Sequence, residues 1–468
     1  MPACPLGVTV MPEWFACEGV DAVLDRVQAI GASAIATSPY VLERAPDGEG
    51  GREPPIDAGA GSVRPLDRPL FGRRELWVRT APAFEHEIAR YRDLAYQPTP
   101  PNELTARHAR LLDRVLDAAD RRGIEVLLQV MAASPPCYRV QFSSLRPGDE
   151  CHGPEGAPLP DRVDRNGSLA SVEIRAYTAT LVSELAERYP TVAGFRLDWP
   201  EYPPYSFHSA LLDFNPAVAT LMRRRGRDAD DAARDALEWA ATVRAEVRNA
   251  MRDGAAAVLG VLSRGAFGAL FVADGPLSTL LDAKRDAASG LVGAVRTALD
   301  GVPGRRRRLE LQAFPPPFPR ISGFPLDGLR GLADAVGVKL YTMHWPMIAR
   351  FWARDLAGEA GDQAIDAVTA ALAQAFGFVD EPTPGAALVY PEPDMPHPAG
   401  AQAQREKLER ARVEAGDVPT IAFAHTYGPL ADVLSRYRIA AGSGMPVWLN
   451  RYGYLSDAKL AALAEARR

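Results

Sequence analysis

The chain has 468 residues, of which 47% are hydrophobic and 24% are charged, and its formal net charge at pH 7 is −6. The hydrophobic content is high enough for a large core and excludes a chain that is mostly disordered. The acidic balance excludes a general nucleic-acid-binding protein, because such a protein needs a basic face. The most apolar stretch, residues 255–272, contains Arg264 and three glycines, so we expect no membrane-spanning segment.

The N-terminal residues and the cysteines bear on location and cofactors. The N-terminus has no basic segment that precedes an apolar core, so we expect a cytoplasmic protein. The four cysteines are too few for a disulfide framework in a chain of this length, and none forms a Cys-x-x-Cys pair. No glycine-rich phosphate-binding loop is present. The sequence therefore predicts no cofactor and no metal site.

Short strand-like runs alternate with longer helical patterns along the chain. The first run, residues 6–11, precedes a helical pattern at residues 19–30, in which apolar residues recur at the spacing of one helix face. Seven further strand-like runs follow at residues 33–41, 124–132, 192–199, 309–314, 338–343, 420–424 and 446–449. Because eight strands separated by helices close a parallel barrel, we predict an α/β TIM (β/α)8 barrel, with a doubly wound open sheet as the alternative.

Three stretches are longer than ordinary barrel connections. Residues 45–101 and 134–166 are rich in proline and glycine and are predicted to be loop excursions. Residues 215–299 show helical periodicity and are rich in alanine, arginine and leucine, which predicts a helical insertion after the fourth barrel strand. We therefore expect residues 1–468 to form one catalytic barrel that carries these three insertions.

The active site of a parallel barrel lies at the carboxyl ends of its strands. Carboxylates, imidazoles and aromatic side chains follow several predicted strands. This combination suits a carbohydrate partner, because aromatic rings stack on the C–H faces of a sugar while polar groups hold its hydroxyls. The candidate catalytic residues are Asp198, Glu201 and Glu13, and the candidate substrate-binding residues are Arg196, Trp199, Tyr202, Gln312, Tyr341, His344, Trp345, His425 and Arg451.

The segment that ends the fourth strand carries the sharpest signal. Arg196 and Asp198 are two residues apart, so both side chains point to the same face of a strand. We expect them to be in contact, with the guanidinium favouring an ionised carboxylate that suits a nucleophile or a charge stabiliser. Glu201 has apolar and aromatic neighbours, and burial raises the pKa of a carboxyl group, as a general acid requires. Glu13, after the first strand, is the second candidate for the acid.

The run Gly-Phe-Arg-Leu-Asp at residues 194–198 resembles the fourth-strand motif of the α-amylase superfamily. The resemblance implies that Asp198 is the nucleophile and that Arg196 is its partner. The chain then departs from the superfamily pattern, which usually has histidine four residues after the aspartate, where this chain has Tyr202. The fifth strand has no clear glutamate at its end, because Glu310 opens that run.

Other segments resemble uncharacterised bacterial glycosyl-hydrolase-like TIM-barrel proteins. They are Asp198-Trp-Pro-Glu-Tyr-Pro, Phe314-Pro-Pro-Pro and Trp448-Leu-Asn-Arg-Tyr-Gly. This resemblance spans most of the chain and implies a barrel that acts on carbohydrate. It assigns no acid/base.

These features predict a glycoside hydrolase that uses a carboxylate pair at the C-terminal mouth of the barrel. Three other functions stay open. A metal-dependent sugar isomerase or epimerase would take its ligands from Glu13, Asp198, His344 and His425. A Schiff-base aldolase would use Lys339 on the sixth strand, but its early position in the run predicts that it points to the bottom of the barrel. A non-catalytic carbohydrate-binding barrel would lack a second carboxyl group near Asp198.

Overall fold

The computed structural model describes residues 4–56, 64–136, 139–159 and 166–468. The strands are, in chain order, β1 (Leu6–Thr9), β2 (Ala34–Thr37), β3 (Tyr40–Arg44), β4 (Gly51–Glu53), β5 (Leu76–Pro82), β6 (Glu125–Met131), β7 (Gly194–Asp198), β8 (Arg308–Ala313), β9 (Ala335–Leu340), β10 (Thr420–His425) and β11 (Val447–Asn450). Eight of them are parallel neighbours in a closed barrel, in the order β1, β2, β6, β7, β8, β9, β10, β11 and back to β1. This confirms the predicted TIM barrel and excludes the doubly wound sheet.

Helices occupy most of the chain between the barrel strands. In the described residues they are α1 (Pro12–Glu18), α2 (Val20–Ala29), α3 (Glu103–His108), α4 (Leu111–Asp120), α5 (Val172–Arg188), α6 (Phe207–Ala210), α7 (Pro216–Arg224), α8 (Ala229–Ala250), α9 (Ala255–Arg264), α10 (Ser278–Asp300), α11 (Phe318–Ser322), α12 (His344–Ala357), α13 (Asp362–Ala375), α14 (Ala401–Ala415), α15 (Leu430–Gly442) and α16 (Asp457–Ala466). The pattern predicted at residues 19–30 corresponds to α2, whose Val23, Leu24 and Val27 are buried.

The barrel strands are buried on both faces, which explains why they read as continuous apolar runs in the sequence. The rings of Phe423 and Trp448 fill part of the interior. Gly7 on β1 faces the Trp448 ring, and a Cβ atom at this position would overlap that ring. The lower barrel interior is therefore a packed core.

Residues 45–101 contain more regular structure than a loop excursion, because β3, β5 and β4 form a separate antiparallel sheet in that order. The single run predicted at residues 33–41 is split between β2 of the barrel and β3 of this sheet. Pro39 lies between the two strands, and proline has no N–H to continue a ladder. Parts of the two predicted excursions lie outside the described residues, namely residues 57–63, 137–138 and 160–165.

The chain from β7 to β8, all of which is described, contains α6 to α10 and no strand. The helical insertion predicted at residues 215–299 is therefore present. Its helices do not form a separate layer, since α10 packs against α5 and α9 packs against α13. Among the described residues no helix is both long and apolar enough to cross a membrane.

Candidate functional site

A cavity of about 200 Å³ opens at the carboxyl ends of the barrel strands. Its wall combines aromatic, amide, imidazole and charged side chains, a mixture that binds polar ligands with apolar faces. The lining residues include Met11, Arg64, Gln129, Met131, Arg139, Gln141, Asp198, Trp199, Tyr205, Lys339, Tyr341, His344, His425, Asn450 and Arg451. A larger hollow of about 290 Å³ lies outside the barrel, beside α10 and α11, and contains none of these strand-end side chains.

Asp198 ends β7 and is the one acidic residue among the described residues that line this cavity. Its Oδ2 accepts a hydrogen bond from Gln129 Nε2 at 3.4 Å, and its Oδ1 lies 3.3 Å from Lys339 Nζ. The Asp198 side chain is 17% exposed, whereas the Lys339 side chain is 1% exposed. Asp198 is therefore an accessible carboxylate that is paired with a buried cation, an arrangement that suits a charge-bearing catalytic group.

The structure corrects the prediction that Lys339 points to the bottom of the barrel. Strand β9 ends at Leu340 rather than at residue 343, so Lys339 is the penultimate residue of the strand. Its side chain consequently lies at the mouth and lines the cavity. An error of three residues in one strand boundary accounts for the difference.

The structure also corrects the predicted contact between Arg196 and Asp198. Arg196 Nη2 instead donates to Glu310 Oε2 at 2.7 Å, and the guanidinium lies 3.6 Å from the centroid of the Trp448 ring. Both side chains point into the barrel, as their spacing predicts, but Arg196 occupies the layer below the mouth. Burial lowers the pKa of the Arg196 guanidinium, and Glu310 opposes that effect.

Glu201 is fully buried and does not line the cavity. Its Oε1 accepts from the Phe314 N–H at 2.9 Å, and Lys339 Nζ lies 3.5 Å from the same oxygen. Because Lys339 also contacts Asp198, the nearest oxygens of the two carboxyl groups are at most about 7 Å apart. Burial raises the pKa of the Glu201 carboxyl to about 7, although Lys339 opposes the effect.

Ser322 gives Glu201 a hydrogen-bond partner in both protonation states. Ser322 Oγ lies 2.8 Å from Glu201 Oε2 and 3.2 Å from the backbone oxygen of Pro319. The hydroxyl donates to Glu201 when the carboxyl is ionised. When the carboxyl is protonated, it donates a hydrogen bond to the Ser322 hydroxyl, and the hydroxyl donates to the backbone oxygen of Pro319. Glu201 can therefore change protonation state without leaving an unsatisfied group.

Glu13 lies on α1 and is fully buried behind a cavity-lining arginine. Arg139 donates from Nη2 to Glu13 Oε1 at 2.6 Å and from Nη1 to Glu53 Oε2 at 3.1 Å. Arg451 pairs with the other oxygen of Glu53. In this arrangement Glu13 anchors Arg139, and its assignment as a general acid stays a prediction.

Trp199 follows Asp198 in a left-handed backbone conformation, with φ at 55°. This conformation is rare for a bulky residue and costs about 1–3 kcal/mol, which the surrounding structure must offset. The ring lines the cavity and packs edge-on against Tyr205, at 6.4 Å between centroids. Strain of this kind collects at ligand-binding and catalytic positions, so it supports a functional role for this strand end.

His344 and His425 line the cavity next to Tyr341, with ring centroids 5.7 and 5.0 Å from the tyrosine ring. Asn450 Nδ2 donates to the Tyr341 hydroxyl at 2.7 Å. Burial, together with nearby Arg64, lowers the pKa of His425 well below its usual range. His425 is consequently a neutral imidazole near pH 7, whose Nδ1 accepts from the Tyr427 N–H at 3.0 Å and whose Nε2 lies 3.1 Å from Arg64 Nη1.

Four predicted substrate-binding residues do not line the cavity, namely Arg196, which pairs with Glu310 below the mouth, and Tyr202, Gln312 and Trp345. Tyr202 is buried and donates its hydroxyl to Asp213 Oδ2 at 3.2 Å. Gln312 is buried within β8, and Trp345 on α12 stacks on Phe378 with centroids 5.2 Å apart. Proximity to a strand end identified these residues but did not determine the direction of their side chains.

Arg64 and Arg139 line the cavity but were not among the predicted site residues. Both belong to the segments that follow the second and third barrel strands, and no motif or spacing marks them. The only available signal was that long connections at the carboxyl ends of barrel strands supply active-site residues.

The described residues contain no group of three or more histidine, cysteine, aspartate or glutamate side chains that could hold a metal ion. Among the ligands considered from the sequence, Glu13 contacts Arg139 and His425 contacts Arg64. Such neighbours repel a cation, so these residues do not fit a metal site.

No model of a known protein family and no curated protein matches this chain. Solved structures do match it, including β-galactosidases from Marinomonas ef1, from Halorubrum lacusprofundi and from Bacillus circulans sp. alkalophilus. The sequence identities are 16%, 13% and 12%, and the TM-scores are 0.39, 0.49 and 0.39, respectively.

These matches cover 72%, 99% and 95% of this chain and 41%, 57% and 56% of the three β-galactosidases. The chain thus spans about half the length of these three β-galactosidases. Similarity at this level assigns no activity and no residue role to the chain. Its function has to be inferred from the geometry of its own site.

Proposed function

We propose that the protein is a glycoside hydrolase that binds a sugar in the cavity at the barrel mouth. The observation that carries this proposal is the position of Asp198, which faces the cavity beside the Trp199 ring and the buried Lys339 ammonium. An aromatic face binds the C–H surface of a sugar ring. An ionised carboxylate stabilises the positive charge that develops at the anomeric carbon as the glycosidic bond breaks.

The proton for the leaving oxygen comes, in this proposal, from the pair formed by Lys339 and Glu201. Glu201 has a pKa of about 7, so it is partly protonated at neutral pH. Lys339 lines the cavity and lies 3.5 Å from Glu201, so its ammonium donates to the glycosidic oxygen and Glu201 reprotonates the amine. The water that attacks the anomeric carbon then gives a proton to Lys339 as Lys339 passes one back to Glu201, which restores both groups.

A panel of α- and β-linked aryl glycosides tests the proposal, with release of the phenol as the measurement. The wild-type protein should cleave at least one member of the panel, and Asp198→Asn should lose that activity while its melting temperature is retained. Asp417→Asn is the matched control, because the Asp417 side chain is 77% exposed and away from the mouth. Binding without turnover, or full turnover by Asp198→Asn, would reject the proposal, and the first outcome would favour a non-catalytic carbohydrate-binding barrel.

A Schiff-base lyase is the second candidate, and the position of Lys339 favours it. All four lysines of the chain are buried, but Lys339 is the one that lines the cavity. Its amine would condense with a substrate carbonyl and release water, and Glu201 would accept the proton that the ammonium must first lose. Aromatic rings of Trp199 and Phe314 lie within 6.0 Å of Nζ and limit the access of water.

Borohydride trapping separates the two functions. The protein is incubated with a mixture of aldose and ketose sugars, reduced, and digested for peptide mass spectrometry. A reduced adduct confined to Lys339 would establish the Schiff-base reaction, and the other three lysines serve as internal controls. Hydrolysis of an aryl glycoside with no adduct on Lys339 would establish the glycosidase.

A further inference from the structure

We infer that the sugar bound at the mouth carries an anionic substituent, a carboxylate or a phosphate, and that Arg139 and Arg451 hold it. The inference rests on the proposed function, because it names the substrate class for the same cavity. Arg451 follows the last barrel strand, and Arg139 is anchored by Glu13 after the first strand. The two arginines therefore mark the part of the mouth that β1 and β11 form.

The charge of the cavity wall is opposite to that of the chain as a whole. The chain has 59 acidic and 53 basic residues, so a wall of average composition would contain more carboxylates than cations. The described lining residues instead include four basic side chains and one acidic side chain, Asp198. Lys339 contacts Asp198 and Glu201, and the glutamates that pair with Arg139 and Arg451 are fully buried, so guanidinium rather than carboxylate surface faces this part of the cavity.

Buried glutamates hold both arginines from behind. Glu13 and Glu53 have no exposed side-chain surface, while the side chains of Arg139 and Arg451 are 12% and 14% exposed. Glu53 contacts both guanidiniums, so the two are held close to each other. Each glutamate has a charge opposite to that of the guanidinium that it contacts, and this attraction keeps the arginines in place before a ligand binds.

The arginines keep hydrogen-bond donors beyond those that the glutamates use. A guanidinium has five N–H donors in a planar fork that matches the oxygens of a carboxylate or phosphate. Arg139 uses two nitrogens for Glu13 and Glu53. Arg451 Nε has no hydrogen-bond partner among the described residues. The accessible parts of the two guanidiniums, on side chains that are 12% and 14% exposed, line the cavity and are fixed by the glutamates behind them.

The size of the cavity relates this anion site to the reacting bond. A volume of about 200 Å³ is below the roughly 300–1,000 Å³ of sites for drug-sized ligands, so we expect one sugar residue to occupy it. The anionic group and the bond that faces Asp198 should therefore belong to the same sugar. A hexuronic acid or a sugar phosphate ester meets this requirement.

Calorimetric titration of the wild-type protein tests the inference at constant ionic strength. The ligands are glucuronate and galacturonate, glucose 6-phosphate and galactose 6-phosphate, and the neutral parent sugars. We expect at least one anionic sugar to bind about tenfold or more tightly than its neutral parent, since hydrogen bonds to charged groups are the stronger ones. Preference for the carboxylate or for the phosphate ester identifies which anion the site takes.

Two variants locate the effect. Arg451→Gln and Arg139→Gln should each reduce the preference for the anionic sugar, whereas Arg330→Gln, at an exposed position outside the cavity, should retain it. Equal binding of anionic and neutral sugars would overturn the inference, and so would a preference that persists in both variants. The wild-type comparison needs no variant, so a variant that fails to fold does not remove the test.

The same ligands distinguish failure of this inference from failure of the proposed function. Tight binding of an anionic sugar without cleavage of any aryl glycoside would contradict hydrolysis and leave the anion site standing. Cleavage of neutral aryl glycosides, with no advantage for the corresponding uronides, would support hydrolysis and overturn the anion site.

Discussion

The barrel interior contains two groups of buried charges that are balanced differently. In the lower pair, Arg196 and Glu310 meet one to one at 2.7 Å. The rings of Phe423 and Trp448 lie 5.0 and 3.6 Å from the guanidinium. The lower pair is therefore matched in charge, nearly inaccessible to solvent and enclosed by aromatic surface.

In the mouth cluster, formed by Asp198, Lys339 and Glu201, one cation contacts two carboxyl groups. The cluster also opens to the cavity through Asp198 and Lys339. One carboxyl is in excess, and the pKa of Glu201 is raised to about 7, so the cluster can gain or lose a proton near neutrality. The matched pair suits a structural position in the barrel, and the unmatched cluster has the properties that the proposed function requires.

Loss of the cation from the lower pair should have the largest effect on stability. Arg196→Met leaves Glu310 buried without a partner, and we expect the free energy of unfolding to fall by about 3–5 kcal/mol. Adding Glu310→Met should recover most of that loss, because it removes the unpaired charge. Denaturant unfolding of both variants measures the difference, and an Arg196→Met protein as stable as the wild type would contradict a cost for the unpaired Glu310.

Loss of the cation from the mouth cluster should mainly affect activity. Lys339→Met removes the counter-charge of Asp198, and we expect turnover to fall by a factor on the order of 10²–10³. Lys339 opposes the rise in the pKa of Glu201, so the same change should move that pKa above 7 and shift the pH profile of any residual activity upward. A larger loss of stability than in Arg196→Met would reverse the comparison.

Glu201→Gln separates proton donation from charge stabilisation in the mouth cluster. The variant should lose about 100-fold in turnover on substrates with poor leaving groups, which need a proton. It should largely retain turnover on activated aryl glycosides, which need little protonation. Steady-state kinetics on a series of leaving groups measures the contrast. Equal losses across the series would assign Glu201 a structural role.

Glu201 should also make the stability of the protein depend on pH, and this effect should be smaller than its effect on turnover. The folded pKa of Glu201 is about 7, compared with an ordinary value of 4.5, so folding favours its protonated form. Its stabilising contribution is complete below pH 4.5 and is lost as the pH rises through 7. The melting temperature of the wild type should therefore decrease by a few degrees more than that of Glu201→Gln over this interval. Parallel decreases in the two proteins would contradict the raised pKa.

Much of the fold could be predicted because its signals are local. Each barrel strand is a buried run of four to seven residues, and the glycines and helical patterns between runs fix their order along the chain. The small sheet of β3, β4 and β5 was missed because its strands alternate weakly and lie among prolines and glycines. These segments become strands through hydrogen-bonded pairing with β5, which is distant in sequence from β3 and β4.

The site was predictable in position more than in its contacts. Asp198 could be placed at a strand end from the pattern of its own segment. The cation that pairs with Asp198 could not be predicted, because Lys339 lies on β9, two strands away around the barrel. The cation expected from the sequence, Arg196, pairs instead with Glu310 on β8. Which side chains meet across a closed barrel depends on the tilt of the strands and the stagger of their register, and no local spacing in the sequence reveals either.

Closure of the barrel by β1 and β11 has a consequence for how the chain folds. Leu6 pairs with Val447, so the first and last barrel strands meet only when nearly the whole chain is available. During synthesis, β1 can pair with β2 early, while its other edge stays without a partner until β11 emerges. Contacts of such long sequence separation form slowly, and an open strand edge is a site for association between chains. Co-translational folding should therefore begin with the β1–β2 side and be completed by the strand that carries Trp448 into the barrel.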